Sequence, residues 1–485
     1  MTNDIRQLEP RPLWNRFADL NAIPRPSKQE ARAVRFVVEL GEQLGLETST
    51  DAAGNVCIRK PASPGMEDRV PVALQAHLDM VHQKNADTDF DFEREGIRSR
   101  IEGDWVTADG TTLGADNGIG VAAILAILES DDLPHPPLEA LLTVDEEAGM
   151  SGAKALDGGF LRSRILLNLD TEDDEELTIG CAGGIDTNAT LSYREAAAPA
   201  GSAGFRLQIR GLRGGHSGMD IHLGRGNANK LLTRLLYRLP ASFGMRIAEL
   251  DGGGLRNAIP REATALLAVA QASKDEFVRE MHRRAEILLE EFRPVEPRLR
   301  IHLEDCPAPP KVMATDAQAQ ALRALYAAPN GIYRMSPYIE NLVETSSNLA
   351  RVVIKEGMFE TKSLQRSALA SGKEDVANAV RAAFEAIGAR IENEGDYPGW
   401  SPNPASSILA VMKQLYEELF DGKPKVAACH AGLECGIIGN RYPDMDMISF
   451  GPTIRHPHSP DERVSIASVQ KFWKYLLATL ARIPV

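Results

Sequence analysis

The chain has 485 residues, of which 43% are hydrophobic and 25% charged, so it is a globular protein too long for one ordinary core. Its formal net charge of -14 excludes a nucleic acid duplex or an anionic membrane surface as the main partner, because both require a basic face. We therefore expect two or more domains, with no nucleic acid and no membrane among the partners.

The cysteines indicate a reducing compartment. They are odd in number, scattered and free of any C-x-x-C pair, which fits neither a disulfide framework nor a zinc finger. The first residues lack a basic segment followed by an apolar one, and the longest apolar run, 121–128, is too short to span a bilayer. We predict a soluble, cytoplasmic protein.

The first segment that carries candidate functional residues follows a short buried strand. Two amphipathic helices are predicted at 13–20 and 28–44, and the apolar run 72–76 then predicts a strand. His77 and Asp79 follow at the point where that strand leaves its sheet. The strand would therefore direct an imidazole toward the sheet edge.

A glycine-rich turn, LGADNGIG, places Asp116 just before an apolar helix that begins VAAILAIL. Backbone N–H groups and the helix dipole keep a carboxylate ionised at that position, which suits a metal ligand. The turn does not match G-x-G-x-x-G, and it lacks the Lys-Ser/Thr of a phosphate-binding loop. We therefore exclude a nucleotide site.

Two further apolar runs end in acids. The run 138–144 leads into Glu146 and Glu147, and the run 165–169 leads into Asp170. A helix predicted at 152–162, between the two strands, completes a β-α-β unit, which favours a parallel sheet.

The remaining chain predicts an interrupted domain. The segment 185–397 contains two similar halves in succession, with elements at 205–292 and 316–387, which resemble split β-α-β units and predict an inserted α+β domain. The segment 398–485 returns to long helices and carries the strand that opens the loop of His458. Because this histidine belongs with the earlier acids, 398–485 should rejoin 1–184 in one α/β domain.

Acids and histidines at several strand ends of an open α/β sheet imply one shared site. Two imidazoles and three carboxylates suit two ions of the Zn²⁺ class bridged by one carboxylate. The candidate ligands are His77, Asp116, Glu147, Asp170 and His458. A single-metal hydrolase is the alternative if Glu147 or Asp170 is idle.

The adjacent carboxylates of Glu146 and Glu147 point to different sides of a turn, so one can bind metal while the other acts as a general base. The alternative is a solvated acidic patch. Asp79 can accept a hydrogen bond from the second ring N–H group of His77 and thereby fix the tautomer of the imidazole. Alternatively, it caps a turn.

Three residues of the inserted domain are candidates for contacts with a substrate. His216 lies in the glycine-rich turn GGHSG, where its imidazole could donate to a developing oxyanion, or where it is an ordinary loop histidine. Arg366 and Asn257 could hold a carboxylate or a carbonyl, and otherwise they are surface or sheet-edge polar residues.

Six motifs together resemble the co-catalytic dizinc peptidase family that includes aminoacylases, desuccinylases and dipeptidases: AHLDMV, GTTLGADNGIG, LLTVDEEAGM, LLNLD, GGHSG and GPTIRHPHSPDE. Further stretches such as GCAGGID, LRNAIPREA and HAGLECG extend the similarity over nearly the whole chain and narrow it to the dipeptidases of that family. One departure is His82, where relatives commonly carry proline.

The resemblance implies a zinc-peptidase-like α/β/α catalytic domain, 1–184 with 398–485, and a lid and dimerisation domain at 185–397. It implies two Zn²⁺ per subunit, replaceable by Co²⁺ or Mn²⁺, with Asp116 as the bridging ligand. Glu146 becomes the general base for a dizinc-activated water.

The same resemblance implies roles in substrate binding. His216 would polarise the scissile carbonyl, Arg366 would hold the free carboxylate, and Glu434 would hold the amino end. The expected activity is hydrolysis of unblocked dipeptides, including Xaa-His and β-alanyl-histidine, by a homodimer. A deacylase of N-acylated amino acids and a non-catalytic metal- or peptide-binding protein are the alternatives.

Overall fold

A computed structural model describes residues 4–239 and 241–485. The chain forms two compact units. The first unit comprises the chain up to Gly180, together with Trp400–Ala428 and Leu433–Val485. The inserted unit comprises Cys181–Gly399 and Cys429–Gly432. No helix within the described ranges is both long and apolar enough to cross a membrane.

The helices are α1 Arg11–Asn21, α2 Ala31–Gln43, α3 Ala115–Glu129, α4 Glu146–Gly149, α5 Ser151–Ala155, α6 Ala228–Leu236, α7 Lys274–Phe292, α8 Thr315–Ala327, α9 Ala370–Glu385, α10 Ser407–Leu419, α11 Glu434–Arg441 and α12 Ile466–Ala481. The strands are β1 Glu47–Thr50, β2 Val56–Lys60, β3 Val72–His77, β4 Ser99–Glu102, β5 Trp105–Ala108, β6 Leu138–Thr143, β7 Ile165–Asn168, β8 Glu176–Cys181, β9 Gly183–Ser192, β10 Glu195–Ala197, β11 Ala203–Arg210, β12 Arg246–Gly253, β13 Ala263–Val269, β14 Arg300–Cys306, β15 Lys311–Met313, β16 Gly331–Met335, β17 Val343–Lys355, β18 Met358–Ser367, β19 Arg390–Tyr397, β20 Lys425–Cys429, β21 Asp446–Ser449, β22 Ile454–Arg455 and β23 Arg463–Ser465.

The first unit is built on an eight-stranded sheet in the order β1-β2-β6-β3-β7-β21-β8-β20. Its central strands β6, β3, β7 and β21 run parallel, which confirms the predicted parallel sheet. Strands β3, β6 and β7 are buried along their whole length, as their continuous apolar runs require. Their carboxyl ends therefore open at one edge, where the chain carries acids and a histidine.

The prediction of a helix over residues 152–162 is wrong for most of that length. Helix α5 ends at Ala155, and the chain continues as a loop through Gly158 and Gly159 before β7 begins. Glycine costs about 1 kcal/mol relative to alanine at each helical position, so two in succession favour the loop.

The inserted unit is built on a nine-stranded antiparallel sheet in the order β14-β11-β13-β12-β17-β18-β9-β19, with β16 paired to β17 outside this order. In the first half, strands β11 to β14 lie in the order β14-β11-β13-β12. In the second half the equivalent order is β19-β9-β18-β17, in which β9 takes the place of β11 and strands β17, β18 and β19 take the places of β12, β13 and β14. Strands β12 and β17 join the two sets antiparallel. The prediction of two similar halves is confirmed.

The halves are nested in the chain, whereas the sequence pattern predicted two successive halves. Strand β9 belongs to the second half, yet it precedes the whole first half, β11 to β14. Local patterns identify strands but do not fix their spatial order, which explains the difference. The domain boundaries at 184 and 397, and the role of 185–397 as a lid, stay predictions.

Candidate metal centre

One group of potential ligands surrounds His77 at the end of β3. The Nε2 atom of His77 lies 3.2 Å from Oδ1 of Asp116 and 3.3 Å from Oδ1 of Asp170. Asp116 stands at the beginning of α3, and Asp170 follows β7. The ligand atoms of these three residues lie within 4.8 Å of one another.

A second group uses the other oxygen of the same aspartate. The Nε2 atom of His458 lies 3.2 Å from Oδ2 of Asp116 and 3.0 Å from Oε2 of Glu147. These ligand atoms also lie within 4.8 Å of one another. Asp116 thus belongs to both groups and presents one carboxylate oxygen to each, which is the arrangement of a bridging ligand.

The donor set fits two metal ions. Each group combines one imidazole nitrogen with carboxylate oxygens, the donors that Zn²⁺ takes in proteins. The second oxygen of Glu147, Oε1, is buried and has no hydrogen-bond partner, although a buried acceptor is normally satisfied. A cation would satisfy it.

The electrostatics of the two groups favour positive charge at their centres. Burial by itself would lower the pKa of His77, but the carboxylates of Asp170, Asp116 and Asp79 outweigh it and raise that pKa well above its ordinary value. Hydrogen bonds to Asp116 and Glu147 raise the pKa of His458 to about 11. Metal ions would neutralise the same carboxylates and displace these protons.

Asp79 contacts both the ring of His77 and the turn of Glu146 and Glu147, and its backbone carbonyl oxygen also lies 3.2 Å from Nδ1 of His77. Its Oδ1 lies 3.3 Å from Nδ1 of His77, and its two carboxylate oxygens accept the backbone N–H groups of Glu146 at 3.0 Å and Glu147 at 3.1 Å. The hydroxyl of Ser27 donates to it at 2.8 Å. Burial opposes ionisation of Asp79, but hydrogen bonding to His77 and the other donors lowers its pKa to about 2.

Glu146 begins α4 beside the two groups. Its carboxylate oxygen lies within 4.8 Å of ligand atoms of His77 and Glu147, so it is near both imidazole and acid. Burial and the neighbouring carboxylates raise the pKa of Glu146 well above its ordinary value. A carboxyl group in that position and with that pKa is suited to accept a proton and return it.

Glu434 is fully buried at the start of α11. Its Oε2 accepts hydrogen bonds from Thr143 Oγ1 at 2.6 Å and Gln75 Nε2 at 2.7 Å. Burial raises its pKa to about 7, and its Oε1 is buried without a hydrogen-bond partner. This oxygen, Oε1, can therefore accept a hydrogen bond from a cationic group.

The other three candidates, His216, Arg366 and Asn257, lie in the inserted unit. The Nη2 atom of Arg366 lies 3.5 Å from Nε2 of His216, and its Nη1 donates to the hydroxyl of Tyr397 at 2.8 Å. The turn of His216 pairs with the Asn257 segment, where the carbonyl of Asn257 accepts the N–H of Ser217 at 2.7 Å. The side chain of Asn257 is exposed.

The hydrogen bonds of His216 define its tautomer. Its Nδ1 accepts the backbone N–H groups of Gly218 at 3.2 Å and Met219 at 3.0 Å. Burial and the charge of Arg366 lower its pKa to about 4, so the ring is neutral and carries its proton on Nε2. The guanidinium group of Arg366 and the Nε2–H group of His216 are both donors, so their 3.5 Å contact is not a hydrogen bond. The Nε2–H group of His216 is therefore available to an acceptor.

Sequence reasoning missed two buried charges that hold these segments. Arg25 is 1% exposed and donates to the carbonyl oxygens of Leu78, Asp79 and Gly114. Glu462 accepts backbone N–H groups at the start of α3. The SPDE sequence after His458 was the only signal for Glu462, and Arg25 stands in a proline-rich turn without a signal.

The chain is similar to known peptidases in sequence and in fold. The model of the family described as "Peptidase family M20/M25/M40" matches residues 73–482. The cytosol non-specific dipeptidase of Escherichia coli (strain K12) is 44% identical over 482 residues, covering 99% of each chain. The crystal structure of aminoacylhistidine dipeptidase from Vibrio alginolyticus is 46% identical, with a TM-score of 0.93, covering 99% of this chain and 98% of that one.

A more distant structure shares the fold alone. The aminopeptidase PepT from Bacillus cereus is 15% identical with a TM-score of 0.56, covering 98% of this chain and 99% of that one. The family model covers most of the chain, and the Escherichia coli relative matches it over nearly its full length. The chain belongs to peptidase family M20/M25/M40 and is a metallopeptidase.

Proposed function

We propose that the protein hydrolyses the peptide bond of unblocked dipeptides, including Xaa-His and β-alanyl-histidine, with two Zn²⁺ ions per subunit. The observation that carries the proposal is the carboxylate of Asp116, which is shared between two ligand groups beside the carboxyl group of Glu146. Co²⁺ or Mn²⁺ could replace zinc, since the donors are nitrogen and oxygen atoms.

His77, Asp116 and Asp170 would hold one ion, and Asp116, Glu147 and His458 the other. Bound there, the ions would supply Lewis-acid polarisation of the scissile carbonyl and a lowered pKa for water. Asp79 would keep the His77 ring oriented, because it faces Nδ1 while Nε2 faces the ligand group.

Glu146 is the proposed general base. It would take a proton from water as the water oxygen bonds to the carbonyl carbon, and it would deliver that proton to the leaving nitrogen as the C–N bond breaks. Its raised pKa supports this role, because a carboxylate whose pKa is higher is a stronger proton acceptor.

The ends of the substrate would be recognised by three side chains. His216 would donate its Nε2–H to the developing oxyanion, and Arg366 would bind the free carboxylate with its guanidinium fork. Glu434 would accept a hydrogen bond from the α-ammonium group of the substrate through Oε1, which has no other hydrogen-bond partner. Asn257 is a further proposed contact to the substrate carbonyl or carboxylate.

The names of the two relatives, cytosol non-specific dipeptidase and aminoacylhistidine dipeptidase, support the choice of dipeptides over N-acylated amino acids. The first of these names also supports a cytoplasmic location. The cysteine pattern of the sequence, odd in number and without a C-x-x-C pair, is compatible with it. A homodimer completes the proposal.

The purified enzyme should turn over alanyl-histidine and β-alanyl-histidine and leave an N-acetylated amino acid intact. All three substrates should be assayed side by side, and metal per chain should be determined on the same preparation. Turnover confined to the acetylated amino acid would replace the proposal with a deacylase. A wild-type protein that holds two metal ions and cleaves none of the three would also contradict it.

Arg366→Lys should raise KM for alanyl-histidine roughly 10- to 100-fold, because hydrogen bonds to a charged group contribute about 1.5–3 kcal/mol and lysine lacks the fork. The matched substrate is alanyl-histidinamide, whose carboxylate is replaced by an amide. Steady-state kinetics should give similar KM values for this amide with both enzymes. An equal rise in KM for both substrates would mean that Arg366 does not recognise the carboxylate.

A further inference from the structure

Glu462 forms a buried link between two ligand segments of the first unit. Its side chain is 2% exposed, and its carboxylate accepts four consecutive backbone N–H groups. Its Oε2 accepts from Leu113 at 2.7 Å and Gly114 at 3.0 Å. Its Oε1 accepts from Ala115 at 2.8 Å and Asp116 at 3.2 Å. The last of these residues is the shared ligand itself.

The other end of the link is the segment of His458. Glu462 follows that histidine by only four positions, and its own N–H donates to the carbonyl of Ser459 at 2.9 Å, which closes the intervening turn. His458 has a left-handed backbone, with φ of 60°, a conformation that a non-glycine residue keeps only where its surroundings impose it. The next strand, β23, pairs with β5 and anchors the turn on its other side.

Capping α3 does not by itself require a residue so distant in sequence. A helix is ordinarily capped by the side chain of its own N-cap residue, but Gly114 occupies that position and has none to offer. The cap is supplied instead from the loop that carries the second imidazole. Any shift of Glu462 therefore moves Asp116 relative to His458, and both are ligands in one proposed group.

We propose that Glu462 is a positioning residue that sets the separation of Asp116 and His458 and thereby the metal affinity of the group formed by Asp116, Glu147 and His458. This inference rests on the ligand assignment of the proposed function, but it does not require a particular substrate. A carboxylate offers two acceptor oxygens to four N–H groups, whereas an amide offers one oxygen and an NH₂ group that repels N–H donors.

Glu462→Gln should weaken one of the two zinc-binding events about 10- to 100-fold, the usual effect of changing a group that orients a metal ligand. Calorimetric titration of the metal-free chain with Zn²⁺ measures both events. The matched control is Asp461→Asn, the same change at the exposed neighbouring carboxylate, and it should leave both affinities unchanged. Added zinc should restore kcat in Glu462→Gln with little change in KM.

Wild-type affinity at both sites in a folded Glu462→Gln chain would overturn the proposal. If that variant does not fold, Glu462→Asp provides the second measurement, because it keeps the charge but shortens the reach. A folded Glu462→Asp chain with weakened binding of one ion supports the proposal, and one with unaltered binding overturns it. Failure of both variants to fold would assign Glu462 to global stability and would also overturn it.

The affinity measurement separates this inference from the proposed function. A wild-type chain that binds two zinc ions without cleaving any dipeptide would contradict the proposed function alone. The effect of Glu462→Gln on metal affinity would still decide the role of Glu462.

Discussion

Glu146→Gln should lower kcat for alanyl-histidine by about 100- to 10,000-fold, the usual contribution of a positioned general base. Glutamine has the same size but cannot take a proton from water. The backbone N–H of Glu146 would still donate to Asp79, so the start of α4 should be preserved. KM should change little, because the proton transfer belongs to the chemical step.

The metal content of this variant decides between two roles. A general base can be replaced without loss of metal, whereas a ligand cannot, and Glu146 lies close enough to His77 and Glu147 to be either. We expect two ions per chain by elemental analysis in both the wild type and Glu146→Gln. Loss of one ion would make Glu146 a ligand, and undiminished turnover would assign the base elsewhere. Glu175→Gln, an exposed carboxylate of the first unit, is the charge-matched control.

The candidate ligands could be found from the sequence because their positions follow from strand periodicity. His77, Glu147 and Asp170 come at or shortly after the ends of buried apolar runs, and the neighbouring parallel strands open at one edge. Parallel packing therefore brings together residues that are far apart in the chain. Asp116 was recognisable for another reason, as an acid at the start of an apolar helix.

The supporting contacts could not be found in this way. Glu462 reaches Asp116 across 346 positions, and nothing local to either residue indicates the pairing. Arg25 interacts with backbone carbonyl oxygens, which any sequence offers. The nested halves of the inserted unit were missed for the same reason, since the pairing of β9 with β18 depends on tertiary packing. Local patterns show which residue types lie at a strand end, and long-range packing determines what holds them.

Asp116→Asn should abolish high-affinity binding of both ions, whereas Asp170→Asn should affect only one. Asp116 presents Oδ1 to the His77 group and Oδ2 to the His458 group, and Asp170 belongs to the first group alone. An amide has one neutral oxygen, so it cannot bridge two cations. Elemental analysis after dialysis should therefore give less than one ion per chain for Asp116→Asn and about one for Asp170→Asn.

Peptidase activity should fall at least about 100-fold in Asp116→Asn, since altering even a group that only orients a ligand costs up to that much. Asp132→Asn, an exposed carboxylate of the first unit, controls for the charge change and should retain both ions. Two ions bound to Asp116→Asn as tightly as to the wild type would show that the two groups do not share a bridge. The same loss in Asp116→Asn and Asp170→Asn would instead indicate a single metal ion held by His77, Asp116 and Asp170, because only that group contains both substituted residues.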